Sequence, residues 1–205
     1  MVTVVYVMPT TSSYGDPVTR SRILDAAWEL ITEDGVALRL VDVATRATVS
    51  RQAVYKHFGD RSGLLVALVQ HMDETLDLGA SLAAIHAAPD GAALLAGTAR
   101  LNTVFWAQVL PVARVLQAAQ DQDEALAAAW RDRMRFRYAT FREMIENLAG
   151  RGELDPHWTV DDATATLYAM THFDTWRELV VELGWSDDHY VEVMSRTLRR
   201  ALLKA

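Results

Sequence analysis

Cysteine is absent from the 205 residues. That excludes a disulfide frame, a thiolate zinc site and a cysteine nucleophile, and makes the reducing cytosol the expected compartment. No apolar run approaches the roughly 20 residues of a membrane span, so no membrane partner is expected. The apolar opening, residues 2–8, has no Lys or Arg ahead of it and is too short for a secretory signal; residues 1–15 are expected to form a flexible, frayed tail. Glycine and proline are also scarce, 10 and 5 residues, while Ala, Leu, Arg and Glu are abundant, which favours helices over sheets. There is no alternating strand pattern, internal repeat or low-complexity segment.

What is present is a 51% hydrophobic chain, long enough for a real core, with a net charge of −7. An acidic total argues against a nucleic-acid partner, but charge acts by region. Between residues 39 and 61 five bases (Arg39, Arg46, Arg51, Lys56, Arg61) face two acids (Asp42, Asp60), a local balance of +3 that leaves −10 for the rest. A small basic patch on an acidic body suggests that one segment approaches a polyanion while the remainder is kept off it.

The apolar spacing and cap residues predict an all-α chain of about nine helices. Asp16 and Pro17 start the first, whose inner face is Ile23, Leu24, Ala27, Leu30 and Ile31, and Gly35 ends it. Its outer stripe, Arg22, Asp25, Glu29 and Glu33, reads as solvated with weak ion pairing. Short helices are expected over 40–47 and, capped by Ser50, up to Phe58, with Thr48 and Val49 as the turn and Gly59 as the stop. From the Asp60 cap a single long helix is expected through Leu64, Leu65, Leu68, Val69, Met72 and Leu76 toward Ala87. After the break at 89–91 a helix runs to Leu110, where Pro111 is expected to end or kink it before a short helix, 112–120. Long helices over 123–148 and from the Thr159/Asp162 capping box to Leu183, then a last one from Ser186 to Leu203, complete the count.

The informative stretch is 41–58, VDVATRATVSRQAVYKHF. Val43, Ala44, Ala47, Val49, Val54 and Phe58 fall where two short helices must touch each other and the first helix, a helix-turn-helix pattern. Arg51, Gln52, Tyr55 and Lys56 are left on the outer face. Arg can grip guanine and Gln adenine bidentately, and Tyr and Lys can hold phosphates.

Together with ILDAAWELITEDG before it and GDRSGLLVAL after it, this stretch resembles the DNA-binding domain of tetracycline-repressor-type (TetR) transcriptional regulators over about 50 residues. A weaker echo comes late, where ELVVELGW followed by TLRRALL is similar to the closing helix pair of many members. Two positions depart from the family pattern: Thr48 stands where a turn glycine is usual, and Leu40 where a capping Thr or Ser is usual. The resemblance implies a head over 16–61 and an effector-binding and dimerisation body over 62–205. It implies that Ser50 caps the recognition helix, that Arg51 and Gln52 face base edges, and that Tyr55, Lys56 and His57 face the backbone, with Thr48 of the turn counted among the DNA-binding residues as well. His57 has the alternative of sealing the hinge above Phe58. Arg39 and Arg46 stay open between phosphate contact and ordinary surface.

In the body, Ala169, Phe173, Trp176, Val180 and Leu183 repeat at four, three, four and three, with Met170 and Leu179 beside them, and Tyr190, Met194, Thr197 and Ala201 repeat the spacing on the last helix. Two such helices suggest a homodimer through a four-helix interface, the alternative being internal core. Twofold symmetry would make the double-stranded DNA site an inverted repeat. The middle of the body offers Asn102, Phe105, Trp106, Gln108, Trp130, Met134, Tyr138 and Phe141, with His172, as the lining of a site for a small, mostly apolar effector, again against a core reading. By resemblance the effector would relieve repression by favouring a conformation that no longer fits the operator. Arg131, Arg135 and Arg142 share a helical face that could meet an anionic ligand or pair with Asp132, Glu143 or acids of neighbouring helices.

No catalytic residue, cofactor or metal is expected. A di-metal bundle needs Glu-x-x-His pairs, and His71-x-x-Glu74 is reversed and alone. No G-x-S-x-G, phosphate loop or H-E-x-x-H occurs. A helical protein-interaction module and, more remotely, a helical enzyme remain the alternatives.

Overall fold

Local capping chemistry decides where the helices begin. In the computed structural model, which describes residues 16–34, 38–119 and 121–204, the Asp16 carboxylate accepts the backbone N–H of Thr19 at 3.0 Å and so starts α1, Pro17–Asp34. Ser50 caps α3, Arg51–Phe58, after α2, Leu40–Arg46. Asp60 caps α4, Arg61–Thr75. The expected tail 1–15 and the expected stop at Gly35 lie outside the described residues.

Among the described residues there are ten α-helices and no strand, only an isolated antiparallel bridge between Leu154 and Leu203. After α4 come α5 (Leu78–His86), α6 (Gly91–Ala119), α7 (Glu124–Gly150), α8 (Val160–Met170), α9 (Phe173–Trp176) with a π-helical turn Arg177–Glu182, and α10 (Asp187–Leu202). No helix among them is long and apolar enough to cross a membrane.

Three elements differ from the periodicity. The single helix expected over 60–87 breaks at Asp77, which adopts φ 48° and ψ 45°. Met72 and Leu78 are both buried, yet on one straight helix they would sit about 120° apart, on different faces. Conversely α6 continues past Pro111 as one helix, where an end or a kink is expected from the sequence. The third difference is the helix expected to reach Leu183, which stops at Thr171 and restarts from His172. The Thr171 carbonyl accepts from the Asn102 amide at 3.2 Å and the Trp106 indole at 3.3 Å rather than from the next helical turn.

The chain divides into two compact units. The first runs up to Leu76 and includes Val109–Arg133, the second half of α6 and the start of α7. Its core is Ile23, Leu24, Ala27 and Ile31 of α1, Val43 and Ala44 of α2, Val54 of α3 and Leu64, Leu65 and Leu68 of α4, all at 2% exposure or less. Asp73 of α4 forms a largely buried ion pair with Arg133, and Ser62 donates to Asp123. The second unit, Asp77–Gln108 with Met134–Ala205, is built on Leu94, Leu95, Met144, Ile145, Leu148, Leu167, Phe173, Tyr190 and Leu198. There Glu153 accepts the N–H of Gly91 and pairs with Arg151 at 2.6 Å, and Trp158 donates to the Ala201 carbonyl at 2.6 Å, tying the 151–158 loop to the helix ends around it.

Candidate DNA-binding face

The functional geometry of the first unit is set by the turn between α2 and α3. Thr48 adopts φ 54°, the left-handed conformation that a β-branched residue enters at a cost of about 1–2 kcal/mol. Its N–H reaches the Thr45 carbonyl at 3.1 Å and that of Val49 reaches Ala44 at 3.0 Å. The turn therefore closes with threonine in place of glycine. The Leu40 departure has a plainer outcome: α2 starts after Arg39, which makes no side-chain cap.

On α3 the Ser50 hydroxyl accepts the Ala53 N–H at 3.1 Å, and Val54 is fully buried against the core. Fixing Val54 inward turns Arg51, Gln52, Tyr55 and Lys56 outward; all four are exposed, Tyr55 at 55%. His57 is half-buried. Burial foremost, with the Arg20 and Lys56 charges adding to it, holds its imidazole below the usual value. Phe58 is half-buried rather than core, with the Arg20 guanidinium 5.2 Å from its ring centre.

Two of the predicted bases are engaged within the chain. Arg39 pairs with Asp42 at 2.6 Å. Arg46 reaches Glu33 at 2.7 Å and Glu29 at 3.1 Å, so the acidic stripe of α1, expected to be solvated with weak ion pairing, pairs with a base of α2. Its guanidinium is pushed up by hydrogen bonds to those two carboxylates.

Residues 23–68 match bacterial regulatory proteins of the tetR family. Over those residues the head is similar to that family. The match covers the last two thirds of α1, all of α2 and α3 and about the first half of α4, and solved structures of similar fold span most of the chain. A crystal structure of a candidate transcriptional regulator from Saccharomonospora viridis, in complex with choline, is similar over 93% of this chain and 100% of its own at 18% identity and a TM-score of 0.77. NalD, the secondary repressor of the MexAB-OprM multidrug efflux pump in Pseudomonas aeruginosa, is similar over 91% and 96% at 24% identity and 0.62. A SmeT–triclosan complex is similar over 91% and 92% at 20% identity and 0.72. No curated protein matches.

The residues expected to line an effector site are divided between the two units. Trp130 belongs to the first unit; Asn102, Phe105, Trp106, Met134, Tyr138, Phe141 and His172 belong to the second. Asn102 also donates toward the Tyr190 hydroxyl at 3.4 Å, and Trp106 packs on Phe173 with ring centres 5.7 Å apart. Sequence reasoning missed the centre of this cluster, Arg137. Its guanidinium donates to the Tyr168 carbonyl at 3.1 Å and the Thr171 hydroxyl at 2.8 Å, and lies over the rings of Tyr168 (4.4 Å) and Phe141 (4.6 Å). A signal was available: Arg137 is three residues after Met134 and four before Phe141, on their face and off the Arg131/Arg135/Arg142 face. Arg131 instead pairs with Glu124 at 2.6 Å, and Arg142 with Glu146 at 3.0 Å and with Asp161 of α8.

Of the residues expected at a dimer seam, Phe173, Trp176, Tyr190 and Met194 are at most 5% exposed. Their apolar area is covered within one chain and cannot be covered again by a second. Leu183 at 62% and its neighbour Val181 at 55% are open, Thr197 and Ala169 are exposed, and Val180 and Ala201 are half-buried.

Proposed function

We propose that the chain is a sequence-specific transcriptional regulator, working as a homodimeric repressor that a small, largely apolar effector releases from an inverted-repeat operator. The observation that carries this is the exposed set Arg51, Gln52, Tyr55 and Lys56 around the buried Val54 of a head similar to the tetR family. Arg51 and Gln52 read base edges; Tyr55, Lys56 and His57 hold the backbone. Residues 16–61 serve as the DNA-binding domain and 62–205 as the effector and dimer domain. The operator places the work in the cytoplasm.

Support for an effector comes from the second unit, where the Trp176 indole nitrogen is buried with no hydrogen-bond partner, a group that a ligand's acceptor would satisfy. The choline and triclosan complexes of similarly folded proteins support a small molecule as well. The open Val181 and Leu183, with Thr197 and Ala201, support self-association, expected to give a particle near twice 22.8 kDa. Two recognition helices would then enter major grooves about 34–36 Å apart or a multiple of that.

The test is selection of bound duplexes from a random pool, followed by titration in rising salt. Inverted repeats are the expected product, with Arg51→Ala and Gln52→Ala relaxing sequence preference and Lys56→Ala weakening all sequences alike. Equal affinity for every duplex overturns the proposal.

A further inference from the structure

The second unit leaves two polar atoms buried without a hydrogen bond among the described residues, the Trp176 indole nitrogen and the Ser195 hydroxyl oxygen. A helical hydroxyl can rotate toward the carbonyl one turn back, so Ser195 has a partner within reach. An indole has no such freedom. Its single N–H is fixed in the ring plane, and Trp176, at 4% exposure, cannot aim it at water. Comparable donors of this core do find acceptors: the Trp106 indole and the Asn102 amide both donate to the Thr171 carbonyl, and Arg137 donates to the Thr171 hydroxyl. A buried donor left out of that arrangement costs stability unless something outside the chain accepts from it.

The surroundings decide what kind of acceptor fits. Five side chains close a circuit. The Arg137 guanidinium lies 4.4 Å from the Tyr168 ring, Tyr168 is 6.1 Å from His172, His172 is 4.3 Å from Phe173, Phe173 is 5.7 Å from Trp106, and Trp106 is 5.8 Å from Arg137. Trp176 follows Phe173 by one turn of α9, and both are buried. The rings offer an apolar seat, and the charge felt there is positive. Burial first, then the Arg137 charge, hold the His172 imidazole below its usual value, and the same charge reaches the Tyr190 hydroxyl, which burial holds above its own. A cation is repelled by such a field and an anion is drawn to it. One spare donor beside one guanidinium matches a monoanion; a phosphate, with three acceptor oxygens, needs more donors.

We propose that the effector is an organic carboxylate, its apolar body seated against the Trp106 and Phe173 rings and its carboxylate accepting the Trp176 indole N–H in the field of Arg137. This deepens the effector reading above and rests on it. A trimethylammonium compound meets a like charge and offers the indole no lone pair, and a primary amide offers a neutral acceptor that makes a weaker bond than a carboxylate does.

The test titrates the full chain calorimetrically with benzoate, phenylacetate, cinnamate and decanoate, and with the primary amide and the trimethylammonium counterpart of each. At least one carboxylate is expected to bind, about tenfold or more tighter than its amide, and its ammonium counterpart not at all. Trp176→Phe keeps the apolar bulk and removes the donor. It is expected to weaken that carboxylate about tenfold yet raise the melting temperature of the free protein by about 2–4 °C, because the unpaired donor is gone. A tryptophan that serves only the fold would lose stability instead. Should Trp176→Phe fail to fold, the preference of the wild type for carboxylate over amide decides. The inference falls if no carboxylate binds, if an amide or ammonium compound binds as tightly as its carboxylate, or if folded Trp176→Phe binds like the wild type. Duplex selection on the same preparations separates the two readings. A selected duplex beside a failed panel leaves the regulator standing, and a bound carboxylate with no selected duplex removes the regulator and leaves the site.

Discussion

A side chain on Gly63 would collide with the carbonyl oxygen of Phe58. The close approach exists because Asp60 draws the Gly63 N–H to within 2.8 Å of its carboxylate, folding the first turn of α4 back over the last turn of α3. Helices α3 and α4 are thereby joined at a point with no room for a Cβ, and the obstacle is main chain rather than a side chain that can swing away.

Gly63→Ala is accordingly expected to destabilise the protein by about 1–3 kcal/mol, as overpacking does, despite alanine's better helix propensity. Gly79→Ala in α5 is the control: a Cβ there meets nothing within 4 Å, and stability should rise by up to about 1 kcal/mol. Thermal unfolding of the two variants checks the contrast, and equal gains from both would show that the α3–α4 junction yields.

Arg46 makes a prediction about DNA rather than stability. With its guanidinium held by Glu33 and Glu29, it is not offered to a phosphate. Arg46→Ala should leave the salt dependence of duplex binding unchanged, whereas Lys56→Ala should lower the slope by about one. Replacing both acids by glutamine should release the base and steepen the slope. A slope lowered as much by Arg46→Ala as by Lys56→Ala would mean that the arginine leaves its carboxylates when DNA arrives.

The head was legible in the sequence because its determinants are local. Asp16, Ser50, Asp60, Thr159 and Ser186 each cap the helix that their position announces, since a cap needs only a side-chain oxygen and N–H groups two or three residues on. The same holds for the inward Val54. What escaped was decided across the fold. The break at Thr171 depends on Asn102 and Trp106, 69 and 65 residues away in sequence. Periodicity marks an apolar face without saying what covers it, so Phe173 and Tyr190 read as a subunit seam although their own chain buries them completely. Glu29 and Glu33 looked solvated because nothing local announces the Arg46 of another helix.

His172 carries the pH prediction. Its imidazole is held below the usual 6.5, first by burial and then by the Arg137 charge, which together outweigh the Asp174 carboxylate 3.3 Å away. Its Nδ1 also accepts the backbone N–H of Asp174 at 3.4 Å, capping α9, which the protonated ring cannot do. A histidine with a lowered folded value binds fewer protons folded than unfolded as pH falls below 6.5. Stability should therefore be full above that pH and decline through the window between 6.5 and the lower folded value. His57, also lowered, acts in the same window from the first unit. The lowered carboxylates Asp16, Glu33, Asp123 and Asp155 act only in stronger acid, below their ordinary 3.8 for the aspartates and 4.5 for the glutamate. Denaturant unfolding between about pH 7.5 and pH 5.5 should show the decline, partly flattened by His172→Gln and further by adding His57→Gln. An unchanged slope in the double variant would place the titrating group elsewhere.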